Sequence, residues 1–329
     1  HITTHSSLIR KEEKINQIVE LVLRQLQEEG LVPGGLKNQP GQPTFPQETI
    51  TTGAATVFHP GAALSTHAEI EIDLPDPAGD NLRWLPRVKN AKDPGALIEL
   101  MASTSARIGV GRAGPRSNTA SLLLFQADHA ITQDALYRDV DQRLLDEFNL
   151  MTVQTRITEG REEYLLRPDL GRQLSDAARQ MITEKCQKNP DLQLVVGDGL
   201  SALAIESNLR QIFPVIVQGA QSAGLRMGTP FYVKYCRVGV MNDIGDILQP
   251  KVLILLIGER PGLGWAESMS AYMAYQPGAG QNDANRDVVC NIFEKGGTNP
   301  LEAGAFIVQF AQKMMQFQAS GVKLKLAAG

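Results

Sequence analysis

The chain has 329 residues, 43% of them hydrophobic and 21% charged, which is enough for two compact domains or one large one. Its net charge of -4 argues against a general attraction to nucleic acid. The sequence has no apolar run of the ~18–20 residues that a membrane-spanning helix needs. The three cysteines are widely spaced without a C-x-x-C pair, which favours a reducing cytoplasm over a disulfide framework.

The N-terminal part of the chain is predicted to lie outside the globular fold. Within residues 1–30, the segment KEEKINQIVELVLRQLQEE has apolar residues at helical spacing and is expected to form an amphipathic helix. Residues 31–90 are rich in Pro, Gly and Thr and are expected to be a flexible linker. The helix either packs on its own domain or docks on another protein, and the long linker favours docking.

Residues 91–167 are predicted to form a smaller, mostly helical domain. Asp93 and Pro94 indicate the start of one helix, and a residue among 117–119 caps a second helix that contains FQADHA. A third helix is expected in DVDQRLLDEFNL. The segment that follows is typical of a hairpin, with strands at Thr152–Ile157 and Glu163–Arg167.

Residues 168–329 alternate between helical and strand patterns, which predicts an α/β domain with a Rossmann-like, largely parallel sheet. Helices are expected at 171–189, at 201–224 with an interruption near Pro214, at 242–249 and at 299–321. Strands are expected at 192–199, 230–240 and 251–258, with a further strand in WAESMSAYMAYQP.

Two of the predicted strand ends are polar and rich in glycine, Gly197–Ser201 and Gly258–Gly264. Ligands of such sheets bind outside the carboxyl ends of the strands, where glycines let the backbone approach a ligand closely. Asp198 and Glu259 would supply hydrogen-bond acceptors, and Arg260 a planar donor. Neither loop has a G-x-G-x-x-G or phosphate-loop pattern, so a neutral ligand rich in amides or hydroxyls is favoured over a nucleotide. The alternative is two tight turns whose charges pair with each other.

The chain offers no evident catalytic set and no metal site. Ser201 has no nearby histidine, and His129 is expected to be an ordinary helical histidine. Cys236 and Cys290 follow or lie beside apolar strands and are expected to be inert buried thiols. Arg107, Arg112 and Arg116 are expected to lie near one another, either to bind an acidic partner or as a solvated turn. The residues by themselves therefore indicate a chain that binds a ligand but lacks an obvious catalytic set of its own, either as a stand-alone binding module or as an independent hydrolase that uses Ser201.

Six motifs occur in order: GRAGPR, ADH, YLLRPDLGR, VVGDGLS, GTPF and LIGERPGLG. Together they resemble the small (light) subunit of ethanolamine ammonia-lyase, over about residues 90 to 321. The resemblance implies an adenosylcobalamin-dependent lyase that converts ethanolamine to acetaldehyde and ammonia by a radical mechanism. The substrate would bind to a large subunit, a β/α barrel, and the small subunit would cover the cobalamin in a dodecamer of six large and six small subunits.

The resemblance also implies three cofactor-binding residues. They are Val238 in YCRV, Glu259 in GERPGLG and Cys290 in the segment before the GGT turn. No D-x-H-x-x-G motif is present, so the cofactor is expected to keep its own benzimidazole on cobalt. The N-terminal helix would direct the enzyme into a bacterial microcompartment in the cytoplasm.

Overall fold

The computed structural model describes residues 83–104, 106–263, 265–294 and 296–327. The predicted amphipathic helix and most of the predicted linker therefore lie outside the described residues. Within the part that the structure describes, no helix is both long and apolar enough to cross a membrane.

The segment before the main sheet is helical, as predicted. It contains α1 (Pro94–Ala102), the short strands β1 (Arg112–Ala113) and β2 (Arg116–Ser117), α2 (Thr119–Tyr137) and α3 (Gln142–Glu147). The Asp93 carboxylate caps α1 by accepting the Ala96 N–H. Among the candidate caps of α2, the structure selects Asn118, which accepts the Ser121 N–H.

One six-stranded sheet runs through the described residues, in the order β3-β5-β4-β6-β7-β8. Its strands are β3 (Met151–Gln154), β4 (Leu192–Gly197), β5 (Phe231–Lys234), β6 (Val252–Gly258), β7 (Met269–Tyr275) and β8 (Asp287–Ile292). The first four in this order are parallel, and β7 is antiparallel to both of its neighbours. The prediction of an α/β fold with a largely parallel sheet is therefore confirmed.

Helices pack on both faces of this sheet. They are α4 (Arg161–Leu166), α5 (Asp176–Lys185), α6 (Ala202–Ser222), α7 (Val240–Leu248), α8 (Pro300–Phe317) and α9 (Val322–Ala327). Helices α6 and α8 share one core cluster with alternate residues of β6 such as Leu256, whereas α5 and α7 share the other with Leu255. Strands β4 and β6 are buried along their whole length because both of their faces are covered.

The face that carries α5 and α7 is incompletely covered. These helices lie over β3, β5, β4 and β6 and reach Ala274 near the end of β7, whereas the core cluster on this face contains no residue of β8. Tyr272 of β7 is half-buried there, and its neighbour Val288 on β8 is 48% exposed. We call this surface, formed by Glu259, Tyr272, Val288 and Cys290, the open face.

The predicted hairpin at residues 152–167 is wrong. Strand β3 pairs in parallel with β5, and residues 161–166 are helical. The Glu163 carboxylate accepts the N–H groups of Thr158 and Glu159, which ties the segment before α4 to its first turn, and these bonds lower the pKa of Glu163. The side chain of Tyr164 is fully buried, so tertiary packing favours a helix where the local pattern indicated a strand.

Three smaller differences concern the α/β part. Helix α6 continues through Pro214, because the buried side chains on both sides of the proline offset the hydrogen bond that it removes. Strand β5 ends at Lys234, well before residue 240, because Tyr235 has a φ of 57°. Strand β8 has no counterpart among the predicted elements.

Candidate cofactor-binding site

The glycines of the two strand ends are required by the protein itself. A Cβ on Gly258 would overlap with the carbonyl oxygen of Ser201, and a Cβ on Gly199 with the carbonyl oxygen of Gly258. Gly199 also has a φ of 58°, which favours glycine. The expectation that these glycines let a ligand approach is therefore wrong for Gly199 and Gly258, because the two loops pack on each other.

Asp198 does not face a ligand, contrary to expectation. Its side chain is fully buried, and its carboxylate accepts the N–H groups of Tyr235 and Cys236 at 2.9 and 2.8 Å. It also pairs with Arg161 at 3.0 Å. Burial raises the pKa of the Asp198 carboxyl, while Arg161 and the two N–H groups oppose that rise. Asp198 is thus a buried structural acceptor.

Glu259, by contrast, lies on the open face. It follows β6 with the same alternation as Leu255 and Ile257, whose side chains point towards α5 and α7. Its backbone N–H donates to the Ser268 carbonyl, and its side-chain Oε1 accepts the Tyr272 hydroxyl at 3.3 Å. Burial, and then the Glu259 charge, raise the pKa of Tyr272 to about 12, so the hydroxyl remains a donor at neutral pH.

Cys290 lies on the same face, at an irregularity of the sheet. Between Val289 and Ile292 the register of β8 against β7 shifts, so that Cys290 and Asn291 stand opposite Ser270. Such a bulge redirects side chains and often lies near functional sites. Cys290 is exposed, contrary to the expectation of a buried thiol.

Val238 lines a polar groove beside the open face. The groove has a volume of about 590 Å³ and runs between α7 and the connection from β7 to β8. Its lining includes Arg172, Arg237, Asn242, Gln281, Tyr272 and Arg286. The Asn242 side-chain amide donates to the Gln281 carbonyl and accepts from Arg286, which holds the two walls together.

The structure therefore places all three predicted cofactor residues on one side of the sheet. Two strand spacings, about 10 Å, separate the backbones that carry Glu259 and Cys290. Tyr272 lies between them and also lines the groove of Val238. Sequence reasoning missed Tyr272, whose only signal is the alternation in MSAYMAY, where it points opposite to Met269, Ala271 and Met273.

Amide, guanidinium, carboxylate and hydroxyl groups dominate this site, which suits a ligand with many amides. Two N–H groups of the groove lining, Nε of Arg237 and Nε of Arg286, are buried without a hydrogen-bond acceptor among the described residues. Buried donors are normally satisfied, so these two favour a ligand that supplies carbonyl oxygens. No group of three or more His, Cys, Asp or Glu suited to a metal ion occurs within the described ranges.

The hydrolase alternative finds no support in the geometry. Ser201 is fully buried and caps α6, where its hydroxyl donates to the Ala266 carbonyl and accepts the Ala204 N–H. Cys236 is also fully buried, and burial raises the pKa of its thiol well above the ordinary value. His129 is exposed on α2, as expected.

The three arginines expected to act together do not form one cluster. Arg107 pairs with the fully buried Asp128, and its guanidinium also contacts the Leu263 carbonyl in the GERPGLG loop at 3.4 Å. Arg112 and Arg116 lie on the exposed hairpin of β1 and β2. Arg107 thus links α2 to the loop that follows Glu259.

Comparison with known proteins assigns the chain to a family. A sequence model of the ethanolamine ammonia-lyase light chain (EutC) matches residues 95–325. The chain belongs to this family.

Several relatives agree with that assignment. The chain is 45% identical to an ethanolamine ammonia-lyase small subunit of Clostridium perfringens over 260 residues, which cover 78% of this chain and 88% of the relative. It is 48% identical to that of Clostridium acetobutylicum over 230 residues, 70% and 94% of the two chains. With the small subunit of Clostridioides difficile it shares 46% identity over 278 residues, 84% and 91% of the two chains. The range matched by the ethanolamine ammonia-lyase light-chain family contains the open face and the groove.

Proposed function

We propose that this chain is the small subunit of an adenosylcobalamin-dependent ethanolamine ammonia-lyase. In this proposal it binds a large subunit, a β/α barrel that holds ethanolamine, and covers the cobalamin at the interface. The observation that carries the proposal is the common location of Val238, Glu259 and Cys290 around Tyr272, on the side of the sheet where Val288 and Cys290 of β8 are exposed.

Each residue has a role that follows from its chemistry. Glu259 accepts N–H groups of the cofactor's side-chain amides, and Tyr272 holds its carboxylate in place. Arg237 and Arg286 offer their unsatisfied N–H groups to amide carbonyls. Val238 and Cys290 act through backbone groups and shape; the Val238 carbonyl already accepts the Met241 N–H at 3.1 Å.

When bound, adenosylcobalamin supplies the radical that begins the conversion of ethanolamine to acetaldehyde and ammonia. This chain contributes binding, orientation and exclusion of water, and has no catalytic residue of its own. Within the described residues, Ser201 and Cys236 are buried and engaged in the fold, whereas Cys290 is exposed on the open face.

Reconstitution tests this function. The purified chain alone should form no acetaldehyde from ethanolamine and adenosylcobalamin, and addition of the large subunit should restore turnover. Turnover by this chain alone would contradict the proposal. Stable cofactor binding without any association with a large subunit would favour a stand-alone binding module instead.

We further propose the dodecamer of six large and six small subunits, with the N-terminal segment outside its core. Residues 1–30 would direct the enzyme into a cytoplasmic microcompartment, with residues 31–90 as a linker. Deletion of residues 1–40 should then abolish encapsulation and leave lyase activity unchanged. Encapsulation of the shortened chain would disprove the targeting role.

The remaining domain division is also a proposal. Residues 91–167 would form a small, mostly helical domain with one strand in the sheet, and residues 168–329 a Rossmann-like cobalamin-binding domain.

A further inference from the structure

The turn between β5 and α7 presents Val238 to the groove, and it has an uncommon backbone. Tyr235, directly after β5, has a φ of 57°. A bulky residue adopts this left-handed conformation only where its surroundings compel it, and such conformations concentrate at functional sites. The residues that compel it are therefore candidates for a functional role.

Asp198 holds the first part of the turn. Its Oδ2 accepts the Tyr235 N–H at 2.9 Å and its Oδ1 accepts the Cys236 N–H at 2.8 Å. The Thr155 hydroxyl donates to the Tyr235 carbonyl at 3.0 Å. Three hydrogen bonds, from Asp198 directly after β4 and Thr155 directly after β3, thus fix the left-handed conformation of Tyr235.

Tyr164 of α4 holds the second part. Its hydroxyl donates to the Cys236 carbonyl at 2.8 Å, and the next N–H, of Arg237, donates to the Gly171 carbonyl at 2.9 Å. Every backbone polar group from Tyr235 N to Arg237 N therefore has an acceptor or donor outside the turn.

Arg161 ties these groups together. It pairs with Asp198 at 3.0 Å, and its guanidinium carbon lies 5.1 Å from the ring centre of Tyr164 and 5.2 Å from that of Tyr235. On the other side, the guanidinium of Arg237, which lines the groove, lies 4.1 Å from the Tyr164 ring. The buried cluster thus extends without a gap to the groove.

We propose that Asp198, Arg161 and Tyr164 form a positioning unit that fixes the turn at residues 235–238, and thereby sets how tightly the enzyme complex binds adenosylcobalamin. This inference rests on the proposed function and extends it to three residues that do not touch the cofactor. They act through Val238 and Arg237.

A role in stability alone explains the cluster less well. Burial of a charged pair costs free energy, and well-packed apolar residues often stabilise a fold as much or more. What the buried pair provides and apolar residues cannot is directional acceptance of two successive N–H groups next to a left-handed residue. That geometry determines where Val238 lies.

The test is Tyr164→Phe in the complex with the large subunit. This substitution keeps the ring between the two guanidinium groups and removes one hydrogen bond to the turn. The dissociation constant of adenosylcobalamin, from spectroscopic titration, should rise about fivefold, the order expected for one hydrogen bond. The KM for ethanolamine at saturating cofactor should not change.

Tyr275→Phe is the control. Tyr275 is the last residue of β7, packs against the core cluster under α6 and α8, and does not line the groove. Both variants should show similar thermal unfolding midpoints, and only Tyr164→Phe should bind the cofactor more weakly. Equal cofactor affinity in the two variants would overturn the positioning role.

Thr155→Val provides a second arm if Tyr164→Phe does not fold. It removes the bond to the Tyr235 carbonyl with little change in shape and should weaken cofactor binding in the same direction. Wild-type affinity in Thr155→Val would then overturn the inference. If the wild-type complex itself fails to bind adenosylcobalamin, the proposed function falls with it, whereas normal wild-type binding with unaffected variants rejects the positioning unit alone.

Discussion

The hydroxyl of Tyr272 lies 3.3 Å from Oε1 of Glu259 and joins the centre of β7 to the residue that follows β6. The bond turns the carboxylate over the open face. Because burial and the Glu259 charge raise the pKa of Tyr272 to about 12, the tyrosine keeps its proton at neutral pH and the hydrogen bond persists.

Glu259→Ala should weaken adenosylcobalamin binding by the reconstituted complex about tenfold or more, because bonds to a charged acceptor are worth about 1.5–3 kcal/mol. The KM for ethanolamine should change much less. Spectroscopic titration of the cofactor and steady-state kinetics measure the two effects. Glu184→Ala, at an exposed position of α5, is the control and should match the wild type. A larger change in KM than in cofactor affinity would contradict the assignment.

Tyr272→Phe should weaken cofactor binding less than Glu259→Ala, by about threefold, because the carboxylate remains but loses one orienting bond. In the double variant the tyrosine substitution should add almost nothing, since its effect acts through Glu259. Cofactor titration of all four proteins completes the cycle. Independent, additive losses would show that Tyr272 contacts the cofactor in its own right.

A single thiol of the native, isolated chain should react rapidly with a thiol reagent. Cys290 is exposed, whereas Cys186 and Cys236 are buried. Burial raises the pKa of both buried thiols, so less thiolate forms there than at an ordinary cysteine as the pH rises towards about 9. The amount of chromophore that the reagent releases should correspond to one thiol per chain in the wild type and to none in Cys290→Ser.

Assembly with the large subunit and adenosylcobalamin should protect that thiol. If Cys290 in the complete complex reacts as fast as in the isolated chain, the open face is not covered as proposed.

Gly258→Ala should destabilise the chain by about 3 kcal/mol, because its Cβ would overlap with the backbone carbonyl of Ser201 rather than with a movable side chain. Gly262→Ala in the same GERPGLG loop is the control, since the nearest atom to its Cβ would be 3.7 Å away. Urea unfolding of both variants measures the difference. Equal stability would show that the two strand ends are not packed as described.

Asp191→Asn should lower stability at neutral pH by about 1–2 kcal/mol. Hydrogen bonds from Arg226, together with Lys251, hold the pKa of the Asp191 carboxyl well below its usual range. The folded pKa is lower than the unfolded one, about 3.9, so the contribution is complete above that pH and is lost progressively as the pH falls from there through the folded pKa.

Urea unfolding of the wild type and Asp191→Asn at about pH 6 and about pH 3 measures this effect. The difference in unfolding free energy between the two proteins should be smaller at the lower pH than at the higher one. A constant difference at both values would mean that the carboxylate charge is not the cause.

The sequence predicted most of the regular elements of the α/β part correctly, because its signals there are strong. The run KVLILLIG is buried on both faces as β6, and the helix expected from residue 201 begins there, with Ser201 as its cap. The predicted hairpin at 152–167 is wrong because the strand partner of β3 is far away in the sequence. Strand β3 pairs with β5, 80 residues further on, and a local pattern does not contain such a partner.

The sequence motifs identified Val238, Glu259 and Cys290 as separate candidates for the cofactor site and did not show how the three residues lie relative to one another. Their common side of the sheet follows from strand order and from the coverage by α5 and α7, which only the tertiary structure decides. Tertiary structure also decides the role of Asp198. The sequence predicted a side chain that accepts hydrogen bonds from a ligand, whereas the buried carboxylate accepts the N–H groups of Tyr235 and Cys236 in the turn before Val238.

The loop GERPGLG shows most clearly which features the sequence determines and which ones the tertiary structure determines. By itself the sequence determined that a buried strand ends there in a glycine-rich, polar loop, since composition and periodicity are local properties. Tertiary structure alone decided that Gly258 serves backbone packing and that Glu259 turns towards Tyr272. The reason is that close backbone contacts and shared hydrogen bonds depend on which strands become neighbours.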